Sequence, residues 1–108
     1  LLDQELKAFV VTQIEDMKAK DITIIDVAGT SDVTDTMIIC TGNSKRHVRS
    51  IAEQTALAAK RADETPLGVE GLEGSEWVLV DLGNVVLHVM QEETRQFYDL
   101  EKLWGHTV

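Results

Sequence analysis

With 108 residues, 44% of them hydrophobic and 27% charged, the chain has the balance of a folded globular protein and room for one core rather than two. Its formal net charge of −9 repels phosphate backbones and argues against direct nucleic-acid binding as the main activity; it suits a partner rich in Lys and Arg, or serves solubility alone. No apolar run reaches the roughly 18 residues of a membrane span, LLDQELKAFV has no basic stretch ahead of an apolar one, and the one cysteine, Cys40, excludes an internal disulfide, so the cytoplasm is the expected compartment.

Leu2, Leu6, Phe9, Val10, Ile14 and Met17 recur at spacings of three and four, which predicts an opening amphipathic helix ending in the polar KAKD. DITIIDV, residues 21–27, is short and β-branched. AGTSD supplies turn chemistry, and TMIICT, residues 36–41, reads as a neighbouring second strand. In TGNSKRHV the period changes: Ser44 is an N-cap, and Val48, Ile51, Ala52, Thr55, Ala56 and Ala59 trace one face of a helix running to about Ala62. Pro66 opens PLGVEG, a strand of edge character because proline cannot donate to a ladder. Gly71 and Gly74 then bracket a loop.

WVLVDLGNVVLHVM, residues 77–90, reads as a hairpin around Gly83-Asn84, a pair that tolerates the positive φ of primed turns. That loop sets Leu82 opposite Val85, Asp81 opposite Val86, Leu79 opposite His88 and Trp77 opposite Met90. One face then carries only aliphatic residues, Val78, Val80, Leu82, Val85, Leu87 and Val89, and is core. The other carries Trp77, Leu79, Asp81, Val86, His88 and Met90, a mixture of large apolar groups with an acid and an imidazole that is typical of an interface centre. Two readings of this second face stand. Either it is an open patch for a partner or a second copy, or it lies under a helix with His88 satisfied by hydrogen bonds. EETRQFYDLEKLW closes the chain as one helix with Phe97, Leu100, Leu103 and Trp104 on one side. The whole reads as a single domain over residues 1–108 of α/β (α+β) class, with a mixed sheet of about five strands and three helices.

Candidate chemistry is sparse. His47, His88 and His106 have no metal-ligand spacing, so no metal site is expected. Cys40 sits in an aliphatic strand and reads as a small buried hydrophobe. Ser44, Lys45, Arg46 and His47 at a helix start are a weak anion-site signal beside the plain capping reading. A Ser44, His88 and Asp81 triad has no supporting spacing, and GxSxG is absent.

The runs TDTMIICTGNSKRHVRSIA, PLGVEG and WVLVDLGNVVLHVMQEETRQFYDLEKLW together resemble the bacterial ribosomal silencing factor family (RsfS, Iojap-related), over nearly the whole chain. The resemblance implies a fold similar to nucleotidyltransferases and a non-enzymatic, cofactor-free factor. Such a factor binds the large ribosomal subunit through its ribosomal protein fourteen, blocks subunit joining and lowers translation when nutrients are scarce. The paired carboxylates that hold divalent ions in nucleotidyltransferases are missing, since Asp81 is followed two positions on by Gly83. The hairpin register, independently of the resemblance, offers Trp77, Leu79 and Met90 as partner anchors with Asp81 and His88 as polar contacts. A homodimer through that face when the chain is free is a further expectation, and a small nucleotide-binding enzyme using Ser44, Arg46 and Asp81 is the alternative.

Overall fold

The computed structural model describes residues 1–32 and 34–104, the side chain of Trp104 excepted; His106 and that side chain lie outside the described residues. The elements are α1 (Asp3–Asp16), β1 (Lys20–Asp26), β2 (Thr36–Thr41), α2 (Lys45–Arg61), β3 (Gly68–Glu70), β4 (Trp77–Asp81), β5 (Val85–Met90), α3 (Glu92–Tyr98) and α4 (Leu100–Trp104). The five strands form one mixed sheet in the order β1-β2-β5-β4-β3. β2 runs parallel to β5, and the other neighbours are antiparallel. The expected five-stranded mixed sheet is therefore present, with the strand after Pro66 at one edge.

Local chemistry accounts for the helix starts. The Ser44 hydroxyl accepts the backbone N–H of His47 at 3.1 Å, capping α2 as its sequence predicts. His47 also ties α2 to the end of α1. Its Nδ1 accepts the N–H of Asn43 at 2.8 Å, which leaves Nε2 to donate to the carbonyl of Met17 at 2.7 Å. That histidine is thus a structural clasp. Leu6, Val10 and Ile14 of α1, with Val48, Ile51, Ala52 and Ala59 of α2, cover the aliphatic sheet face of Ile38, Cys40, Val78, Val80, Leu82, Val85, Leu87 and Val89. Cys40 is the small buried hydrophobe the sequence implies, and loss of water pushes its thiol up to about 12, far from a reactive thiolate.

The hairpin has the predicted register: Trp77 pairs with Met90, Leu79 with His88 and Asp81 with Val86. Its turn differs in one respect. Gly83 takes φ +89, whereas Asn84 is not among the positive-φ residues, which is the pattern of a II′ turn, where only the first central residue needs the left-handed region. Asn84 serves elsewhere. Its side-chain N–H groups donate to the Asp3 carboxylate at 3.1 and 3.3 Å, and its carbonyl accepts the N–H groups of Asp35 and Thr36.

The closing helix departs from expectation. Asp99 adopts φ 46 and ψ 58 and divides it into α3 and α4. The residue serves both pieces: its N–H donates to the Arg95 carbonyl, and its own carbonyl accepts from Lys102 and Leu103. Aspartate tolerates the left-handed conformation and accepts hydrogen bonds at helix starts, so one residue ends a helix and begins the next. The predicted single stripe is broken as a result. Leu100 is buried, but Phe97 and Leu103 are 80% and 69% exposed.

A candidate partner-binding face

Register defines the second face of the sheet. Thr23 and Ile25 of β1, Met37, Ile39 and Thr41 of β2, Val86, His88 and Met90 of β5, and Trp77, Leu79 and Asp81 of β4 share it, with Glu70 of β3 beside Leu79. Part of this face is covered. Ile25, Val27, Met37, Ile39, Met90 and Leu100 form a second core cluster against which Trp77 packs. Of the five residues read from the sequence as contacts, Met90 is 0% and His88 5% exposed, whereas Trp77, Leu79 and Asp81 are half-buried. The boundary between covered and open surface thus runs between β5 and β4. Met90 lies beneath the surface as packing, not as an accessible anchor.

Arg95 holds the cover in place. Its guanidinium donates to both carboxylate oxygens of Glu101 at 2.9 and 3.1 Å, to the Thr41 hydroxyl at 2.8 Å and to the Thr23 hydroxyl at 3.1 Å. One buried side chain therefore links α3, α4, β1 and β2 with a planar fork suited to a carboxylate. The hydrogen bond from Arg95 holds the Glu101 carboxyl below its ordinary range.

This arrangement carries Tyr98, 52% exposed, onto Trp77 with ring centroids 4.8 Å apart and planes tilted by 48°; Phe97 follows edge-on at 5.0 Å from Tyr98. The indole N–H donates to His88 Nδ1 at 2.9 Å. The loop before β4 also presses close to Trp77: Gly71 has φ +92, and a Cβ there would lie 2.1 Å from the Trp77 carbonyl oxygen. Asp81, at the far end of β4, accepts the Gly83 N–H at 2.9 Å. The accessible surface is a partly buried aromatic centre, Trp77 and Tyr98, continued by Leu79 and edged by Asp81 and exposed Glu70.

Two of these residues, Tyr98 and Glu70, were not singled out from the sequence. Glu70 would have followed from pairing PLGVEG against β4, a register that no turn fixes. Tyr98 depends on the break at Asp99.

Two groups of the enzymatic alternative, Ser44 and Asp81, sit at opposite ends of the sheet strands. Thr41 pairs with Met90 while Asp81 pairs with Val86, itself beside Met37; Thr41, from which the chain leads on to Ser44, is therefore offset from Asp81 by roughly 13 Å along the strands. Its hydroxyl is engaged in capping α2. Among the described residues no group of three or more His, Cys, Asp or Glu could hold a metal ion, and no helix is long and apolar enough to cross a membrane.

Comparison with known proteins gives a consistent picture. The family model "Ribosomal silencing factor during starvation" matches residues 3–107. The ribosomal silencing factor of Haemophilus influenzae is 41% identical over 100 residues, which is 93% of this chain and 98% of that protein. A mouse protein, "Mitochondrial assembly of ribosomal large subunit protein 1", is 33% identical over 87% of this chain and 42% of its own length. A crystal structure of a Chromobacterium violaceum protein superposes with a TM-score of 0.95 at 39% identity, covering 100% of this chain and 90% of that one. The chain belongs to the ribosomal silencing factor (RsfS) family.

Proposed function

We propose that this protein represses translation in nutrient limitation by occupying the large ribosomal subunit through ribosomal protein fourteen, so that the small subunit cannot join. The observation that carries the reading is the open half of the second sheet face in a member of this family: Trp77, Tyr98 and Leu79 form an apolar centre, and Asp81 and Glu70 flank it. Aromatic residues in a partly desolvated centre supply most of the energy of an interface, while the surrounding charges guide encounter. A net charge of −9 complements a basic ribosomal protein. Trp77 and Leu79 are the direct anchors and Asp81 a polar contact; Met90 and His88 are buried beneath them. Inhibition is steric, with no turnover and no cofactor, and the site of action is the cytoplasm.

The half-exposed Tyr98 and the exposed Phe97 beside it favour a second use of the same patch, a homodimer in the free state. Ribosome binding would then compete with self-association.

Order of addition tests the inhibition. When purified large subunits receive the chain before small subunits, the fraction of joined ribosomes on a density gradient is expected to fall in proportion to occupancy. Unchanged joining at saturating chain would contradict the proposal.

A further inference from the structure

His88 is an odd choice for its place. It is 5% exposed, set between Leu79 of β4 and Ile39 of β2, where an apolar side chain would pack without polar cost. Because Nδ1 accepts the Trp77 indole N–H, the neutral ring carries its proton on Nε2, and that nitrogen has no hydrogen-bond partner among the described residues. A buried N–H without an acceptor opposes folding. The orphaned N–H offsets what the Trp77 hydrogen bond contributes, so net stability gives little reason for an imidazole here; what His88 supplies is an acceptor for the Trp77 indole N–H.

We propose that His88 is a positioning residue, whose Nδ1 fixes the Trp77 ring in the one orientation that the ribosomal partner reads. The inference rests on the reading of Trp77 as an anchor. Two further contacts bear on Trp77, one on its backbone and one on its ring. The loop at Gly71 closes on the Trp77 backbone carbonyl and restrains the strand, the Tyr98 ring lies against the indole at 4.8 Å, and the hydrogen bond restrains rotation of the ring about its own side-chain bonds. Preorganising a large rigid anchor lowers the ordering cost of binding. Burial also keeps the imidazole neutral at physiological pH, so the acceptor is always available.

The test compares the full chain with His88→Phe, which removes the acceptor and the orphaned N–H together, and with His88→Gln, which restores a side-chain acceptor. Three readouts are needed: the melting temperature, the Trp77 indole 1H–15N resonance assigned through Trp77→Phe, and the dissociation constant for purified large subunits. His88→Phe is expected to melt no lower than the parent at neutral pH, to shift the indole resonance upfield with faster solvent exchange, and to weaken binding about tenfold. His88→Gln is expected to recover part of both the resonance position and the affinity, which a purely structural role would not produce. Should His88→Phe fail to fold, His88→Leu carries the same comparison. A folded variant whose indole resonance is unmoved, or whose affinity stays within about twofold of the parent, would overturn the positioning role. Trp77→Ala separates the two ideas: if it weakens binding while His88→Phe does not, only the positioning role falls, and if it has no effect, the reading of this face falls as well.

Discussion

Burial of the His88 imidazole between Leu79 and Ile39 makes the stability of the chain depend on pH. Loss of water lowers this group from the ordinary 6.5 to about 4, so between those values the unfolded chain binds a proton that the folded chain refuses. Stability is then full above about pH 6.5 and falls as the pH drops toward 4, by an amount on the order of 3 kcal/mol. Denaturant midpoints measured from pH 7 to 4 are expected to decline in the parent and to lose most of that slope in His88→Phe; equal slopes would show that other groups dominate. Residues whose role is set by near neighbours in sequence were legible: Ser44 caps the helix that follows it, and Cys40 lies buried in its apolar strand. The accessibility of Met90 was not, because it depends on where Leu100, ten positions later, docks.

At the level of elements, the contrast lies between the hairpin and the closing helices. The Gly83-Asn84 loop is local and sets every pair from Trp77–Met90 to Asp81–Val86, so the division of the two faces could be read directly. Apolar periodicity, by contrast, runs through Phe97, Leu100 and Leu103 as if α3 and α4 were one helix, and the turn at Asp99 redirects it. A lone Asp within a helical pattern is too weak a signal to predict a break. The junction is held by Arg95, whose loss leaves Glu101, Thr23 and Thr41 without their shared donor. Because the Glu101 side chain is 34% exposed and can rehydrate, Arg95→Met is expected to cost about 2 kcal/mol, less than breaking a fully buried pair. Amide exchange should quicken first in α3 and α4 and around Thr41. Protection unchanged there would mean that Leu100 and Tyr98 hold the cover without the clamp.

Across the whole molecule, the proposed function assigns charge and shape to different steps of association. If the proposed binding is right, the −9 charge and the carboxylates of Asp81 and Glu70 would guide encounter, and the association rate with large subunits is expected to fall as salt rises from roughly 50 to 200 mM. The double change Asp81→Asn and Glu70→Gln should slow association while leaving dissociation nearly unchanged. On the same proposal, residence would depend on the apolar centre. The most direct test is the dissociation constant of the chain and of a folded Trp77→Ala variant for purified large subunits, with small subunits as the control. Selective binding of the parent to large subunits, weakened roughly thirtyfold by the substitution, is the expected result; equal affinity of parent and variant, or equal binding to both subunits, would contradict it.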